Sequence, residues 1–244
     1  MSVILFETHS HTTASDGYLT PLELVRLARR RGCGAVAVTD HDTIEGGISA
    51  YKASTRLSLG VIVVPGVEVR TSWGDVLALC TQPPGREPPS GAHPEVLREW
   101  ADAEACILVP AHPYVTWRHG MGGRRLRLGG ETGLWDAVEA WNLRGPPPLN
   151  LPAILAAEQL GLPPTSGSDA HVPRELCGAA MEAPDEGSAE ALVESLRRGR
   201  ARPRAGLPGP LALAEAAAWA VMRRLGVERP PGIIGPALRR RGTP

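Results

Sequence analysis

The chain has 244 residues, 43% hydrophobic and 21% charged, with 26 basic and 26 acidic side chains, four cysteines and seven histidines. These values exclude a disordered or fibrous chain, and no apolar run approaches the roughly 18 residues that suggest a membrane span. The charge is uneven. Eleven arginines against Glu215 and Glu228 fall between Arg197 and Pro244, leaving 15 basic and 24 acidic residues before them. An acidic body can hold cations, whereas the basic end reads first as a solvated helix surface and second as a contact for nucleic acid or another acidic partner. Acidic and polar residues come too soon after Met1 for a signal peptide, so a cytoplasmic protein is expected. Cys33, Cys80, Cys106 and Cys177 are widely spaced beside apolar segments, which predicts buried free thiols rather than disulfides.

Short β-type runs alternate with helical patterns along the chain. Val3 to Phe6 reads as a strand. Thr20-Pro21-Leu22-Glu23 opens a helix with a hydroxyl cap, Pro at the first position and Glu at the third. Strands at 35–38, 61–64, 76–79, 107–109, 137–140 and 164–166 alternate with helices at 45–59, 95–105, 150–160 and 188–198. The segment from Val115 to Gly133, rich in Gly and Arg, reads as an irregular insertion. Such alternation predicts parallel strands with helical crossovers, closed into a distorted barrel. Composition divides the chain into residues 1–205 and a Pro/Ala-rich basic tail, 206–244, with one helix from Leu211 to Leu225.

Histidines and carboxylates gather just after the predicted strands. His9-Ser10-His11 with Asp16 follows the first, Asp40-His41-Asp42 the second, and Glu68 the third. His112 comes after the strand ending at Val109, and Asp169-Ala170-His171 after that ending at Ser166. Alternate residues at a strand end point to one side, so His9 and His11 can approach one ion together. Strand C-termini form the active rim of α/β barrels. Mixed imidazole and carboxylate donors suit zinc, manganese or iron rather than calcium.

The motifs H-S-H-T-T-A-S-D-G, A-V-T-D-H-D-T, P-G-V-E-V, A-H-P and S-G-S-D-A-H resemble, in order and spacing, those of the PHP (polymerase and histidinol phosphatase) family over residues 7–171. The resemblance implies an α/β fold, a distorted (β/α)7 barrel, and two or three divalent ions (Mn2+, Zn2+ or Fe2+). It implies that His9, His11, Glu68 and Asp169 hold one ion, and that Glu68 bridges to a second, shared with His112. Asp16, His41 and His171 would hold a third. Asp75 stands where many members carry a histidine, and is expected to replace it as a ligand. Asp40 and Asp42 are expected to orient His41 or a neighbouring ligand, or to cap the turn that follows.

Such ions would activate a water for attack on a phosphate ester. Arg144, Arg118 and His119 are candidates for contacting a small phosphate monoester or nucleotide-type diester substrate, with Trp73, Trp117 and Trp141 either lining the pocket or packing in the core. An ester, carbamate or amide hydrolase is the alternative, and a non-catalytic metal-binding domain with a partner-recruiting tail a third. A processive nuclease fits less well, because the acidic body lacks a basic groove with interleaved aromatics.

Overall fold

The N-terminal capping signal acts as its chemistry predicts. The Glu23 N–H donates to Thr20 Oγ1 at 3.4 Å, and the Thr20 N–H donates to the Glu23 carboxylate at 3.0 Å. These bonds start helix α1 (Pro21–Arg30), which buries Leu24, Val25 and Ala28. The protein was analysed as a computed structural model, which describes residues 2–227.

Strands β1 (Val3–Glu7), β2 (Cys33–Val38) and β3 (Ile62–Arg70) pair in parallel, joined by α1 and α2 (Glu45–Arg56). Both sheet faces are covered, which explains the near-continuous apolar strands. Ala35 and Ala37 pack with Phe6, Val64 and Leu77, whereas Val36 and Val38 pack with the Leu24 and Val25 side of α1.

The chain then reverses twice. Strand β4 (Asp75–Cys80) is antiparallel to β3, and β5 (Cys106–Pro110), which follows α3 (Pro94–Ala103), is antiparallel to β4. The expected parallel arrangement therefore fails here. The link from Thr71 to Gly74 is a tight turn in which the Thr71 N–H and hydroxyl both donate to the Gly74 carbonyl, at 3.0 and 2.6 Å. A parallel crossover needs a dozen or more residues. Two reversals leave β5 running parallel to β3.

Helix α4 (Gly122–Glu131) precedes β6 (Val138–Asn142), and α5 (Pro147–Leu160) joins β6 to β7 (Pro164–Gly167) in a two-stranded parallel sheet. Strand β8 (Ala180–Pro184), helix α6 (Ala189–Arg197) and β9 (Arg202–Arg204) complete the seven-stranded sheet, ordered β5-β4-β3-β2-β1-β8-β9. That sheet curls around the smaller one. On one side the Asp136 N–H donates to the Leu108 carbonyl at 2.9 Å. On the other, Ser10 and Ala170 form a parallel bridge. The α/β fold is thus a curled sheet clothed in helices, with Leu192 and Leu196 of α6 packed among the inner-face residues of β3 to β5.

Two expectations from sequence are corrected. The insertion at 115–133 holds a 3-10 turn at Thr116–Arg118 and the ten-residue α4. Four glycines in α4 oppose helix propensity. Packing requires one of them, because a Cβ on Gly129 would lie 2.2 Å from the Trp135 indole nitrogen. The cysteines are not free thiols, since Cys33 pairs with Cys177 and Cys80 with Cys106. Cys80 and Cys106 are cross-strand partners in the β4–β5 ladder, and the other pair spans 144 residues of sequence. Helix α7 (Pro210–Arg224) matches the tail helix expected from sequence, and residues 228–244 lie outside the described residues. Among the described residues no helix is long and apolar enough to cross a membrane.

Leu126 on the inner face of α4 is fully buried, and the Trp135 indole N–H donates to its carbonyl at 3.1 Å. Leu126→Ala is expected to lower unfolding free energy by about 2–5 kcal/mol. Denaturant titration checks this, and an unchanged midpoint would show that α4 is not packed into the core.

Candidate metal centre

The topology brings the marked side chains to one rim. Strands β1, β2, β3 and β5 all end there, followed by His9 and His11, His41, Glu68 (near the end of β3) and His112. The Ser10–Ala170 bridge aligns the end of β7 with them, bringing in Asp169 and His171. Strand β4 runs the other way, so its first residue, Asp75, reaches the same rim. His112 and Asp169 have positive φ, 29° and 53°, a costly backbone for residues with a Cβ and one that collects at functional sites.

Three ligand-like groups result, each with donor atoms within 4.8 Å of one another: His9, His11 and Asp169; Glu68, Asp75 and His112; and His11, Asp16, His41 and His171. Glu68 is the hub. Its Oε2 lies 3.2 Å from His9 Nε2, His11 Nε2 and His41 Nδ1, and its Oε1 lies 3.0 Å from His112 Nε2. Asp169 Oδ1 is 3.3 Å from His11 Nε2 and 3.7 Å from His9 Nε2. Asp16 Oδ1 lies 3.1 Å from His171 Nε2 and 3.7 Å from His41 Nε2. Every residue the sequence analysis marked as a ligand therefore belongs to one of the groups.

These donors fit divalent ions. Ligands about 2.1 Å from a common ion stand about 3.0–3.4 Å apart in octahedral or tetrahedral geometry, the spacing of most of these contacts. His9 Nδ1 faces the Glu139 carboxylate at 2.9 Å and so carries the proton. Its Nε2 lone pair then faces Glu68 Oε2 and, at 3.2 Å, His11 Nε2. Lone pairs turned on one another are repulsive unless a cation lies among them. His11 Nδ1, Asp16 Oδ1, His112 Nδ1 and Asp169 Oδ1 are buried without a hydrogen-bond partner.

Without metal, protons carry that strain. Burial opposes charge on His9, yet Glu139, Asp169 and Glu68 raise its pKa well above the imidazole range. Burial likewise opposes charge on His11, but the facing Asp169 and Glu68 carboxylates push it up to about 9. His171 goes the other way, to about 4, through burial and then the neighbouring charge of His11. Burial and the Glu68 charge raise Asp75.

Other residues hold the ligands, and several carry no mark in the sequence. Glu139 also accepts from the His112 N–H at 2.7 Å and from Asn142 Nδ2 at 3.0 Å. Asn142 Nδ2 donates in turn to Asp169 Oδ2 at 3.1 Å. Glu7 accepts from the N–H groups of His9, Ser168 and Cys177, and burial raises its pKa to about 7. The Glu175 carboxylate accepts from the His171 N–H at 2.9 Å. These acids sit in or beside apolar segments, where only their burial beside a polar rim distinguishes them.

Asp40 accepts from the Thr12 N–H and hydroxyl, both at 2.7 Å, and from the Ser15 hydroxyl at 2.6 Å. It ties down the loop between His11 and Asp16, and no hydrogen bond joins it to His41. A Cβ on Gly46 would lie 1.7 Å from Asp40 Oδ2, so the first turn of α2 needs glycine at this position for the approach. Asp42 accepts from the Arg70 N–H at 2.8 Å and the Ser90 hydroxyl at 2.6 Å, fixing loops at the rim.

A cavity of about 460 Å³ opens over the cluster, lined by Asp16, His41, Asp75, His112 and His171 together with Arg70, Arg118, Arg144, Arg223 and Arg224. Arg118, His119 and Arg144, the marked substrate candidates, all line it, as does Trp117, which is 66% exposed. Trp73 instead packs against the core and edge-on to His93, while the Trp141 indole N–H donates to the Gly206 carbonyl at 2.9 Å. Most of the arginines are paired with an acid of the site. Arg70 donates to Asp75 at 3.1 Å, Arg118 contacts Asp169 Oδ2, and Arg144 Nε lies 3.3 Å from Glu175.

Comparison with known proteins finds relatives in both sequence and fold. A family model described as the PHP domain matches residues 7–104, and one described as PHP-associated matches residues 147–201, together more than half of the chain. The chain is 44% identical over 70 residues to the 5'-3' exoribonuclease Rnm of Salmonella typhimurium, 29% of this chain and 24% of that protein. It is 41% identical over 68 residues to the 3',5'-nucleoside bisphosphate phosphatase of Chromobacterium violaceum, 28% of this chain and 23% of that protein. The matches thus span about a quarter of each relative. In fold it is similar to a two-domain protein from Bacteroides vulgatus containing a predicted PHP-like metal-dependent phosphoesterase, with a TM-score of 0.68 and 17% identity, over 84% of this chain and 65% of that one. With this fold, this cluster and these matches, the chain belongs to the PHP family.

Proposed function

We propose that this chain is a divalent-metal-dependent phosphoesterase acting on a small phosphate monoester or a nucleotide-type phosphodiester. One observation carries the proposal: two of the three imidazole and carboxylate groups line an arginine-rich cavity, and the third shares His11 with one of them. In this proposal His9, His11, Glu68 and Asp169 hold one ion, and Glu68, Asp75 and His112 a second. Asp16, His41 and His171 hold the third. The donor mix suits manganese, zinc or iron. Bound there, divalent ions supply Lewis acidity toward a phosphoryl oxygen and activate water for attack.

The protein's own part is to position and to neutralise. Glu139 holds the His9 tautomer that turns Nε2 inward, and Asp40 fixes the loop carrying His11 and Asp16. Arg118 and Arg144 reach the cavity from separate segments and can donate bidentate hydrogen bonds to phosphoryl oxygens. Such a cationic lining favours phosphate esters over neutral carboxylic esters or amides. The relatives named as an exoribonuclease and a nucleoside bisphosphate phosphatase act on phosphate esters, which supports the same substrate class.

Glu139→Gln is expected to weaken the ion held by His9 by about 10–100-fold while the fold is retained, because the partner that fixes the imidazole is lost. Titration of chelator-stripped protein with Zn2+ checks this. An unchanged isotherm would remove Glu139 from the centre.

Turnover of p-nitrophenyl phosphate and bis-p-nitrophenyl phosphate by the metal-loaded protein tests the activity. Arg144→Ala should raise KM with a smaller effect on kcat, as expected for loss of a ground-state phosphate contact. Metal uptake without phosphoester turnover, together with cleavage of p-nitrophenyl acetate, would contradict the phosphoesterase assignment and favour ester or amide substrates.

A further inference from the structure

The matched family segments end at residue 201, yet the chain beyond them returns to the site. Gly206 is pinned against the body, where a Cβ would lie 1.7 Å from the Gly178 carbonyl oxygen. Helix α7 follows and lays Glu215, Trp219 and Arg223 against it. These residues are four apart, so they share one helical face.

Each of them contacts a loop that supplies the third ligand group. Arg223 Nη1 donates to Asp16 Oδ2 at 2.5 Å, and the Trp219 indole N–H donates to the Asp16 carbonyl at 2.8 Å. The Trp219 ring also meets Tyr18 edge-on, with centroids 5.1 Å apart. Glu215 accepts from the Arg174 N–H at 3.0 Å, three residues beyond His171. The helix therefore bridges the Asp16 loop and the His171 loop.

The Asp16 contacts divide its two carboxylate oxygens. Oδ2 is taken by Arg223, while Oδ1 is buried without a hydrogen bond and faces His171, His41 and His11. Asp169 shows the same division on the other side of the cluster, with Arg118 on Oδ2 and Oδ1 turned inward. Arg118 comes from the body of the domain, whereas Arg223 comes from the added helix.

We propose that α7 is a built-in clamp for the third ligand group: Arg223 and Trp219 position Asp16 so that its Oδ1 completes an ion site with His41 and His171. The inference rests on the metal-centre reading above and adds a dependence on a segment outside the matched family regions. Arg223 and Trp219 act through Asp16 and are positioning residues. The Arg-rich character of the chain's end thereby gains a specific role at one residue.

The test is calorimetric titration of the chelator-stripped full chain with Mn2+, for the parent, Arg223→Gln, Trp219→Phe and, as an exposed control on α1, Arg26→Gln. The parent and the control are expected to take three ions. Arg223→Gln and Trp219→Phe should each weaken one of the three by about tenfold or more and leave the other two unchanged, in the range for loss of a ligand's supporting partner. Arg223→Lys should recover part of the loss. Unchanged isotherms in both variants would overturn the clamp while leaving the metal centre standing, and so would equal weakening of all three ions. A parent that binds fewer than three ions would overturn the third site itself, and the clamp with it.

Discussion

The fold is organised around a concentration of buried imidazole and carboxylate lone pairs, which protons or bound cations would relieve. Glu68 offers its two oxygens to four imidazoles, and Asp169 and Asp16 each turn one oxygen inward without a hydrogen bond. Burying such groups unpaired costs several kcal/mol for each ion. The surrounding protein offsets part of that cost from outside. Arg118, Arg70 and Arg223 each take an oxygen of a ligand carboxylate that is not needed inside. The zero net charge of the chain thus conceals a local design in which arginines face the acids of the centre.

The second consequence is rigidity. Glu139 links His9, His112 and Asn142, and Asn142 passes the restraint to Asp169. Asp40 holds the Thr12 to Ser15 loop, and Glu175 holds the backbone at His171. Ligands from five strand ends are therefore cross-braced, so their geometry is set before any ion arrives. Preorganisation of this kind is what a metal-dependent hydrolase requires, because the ligands then need little rearrangement on loading.

Much of this was legible in the sequence, and for a definite reason. Ligands at strand ends are written as short polar motifs after apolar runs, so His9, His11, His41, Glu68, His112, Asp169 and His171 stand out. Asp75 was harder, because it opens a strand that runs backwards; only the tight Thr71–Gly74 turn places it at the rim. Glu7 and Glu139 lie inside apolar strands and carry no local signature. Helix α4 is hidden by its four glycines, of which Gly129 is required by the Trp135 ring pressed against it. The cysteine pairs and the contacts of α7 depend on chain segments far apart, which no local pattern encodes.

Anomalous X-ray diffraction from crystals of manganese-loaded protein, recorded above the manganese edge, tests the central claim most directly. The account predicts separate peaks within the His9–His11–Asp169, Glu68–Asp75–His112 and His11–Asp16–His41–His171 groups. Absence of any peak among these side chains, with His9 and His11 instead held by protons against Glu68 and Asp169, would contradict it.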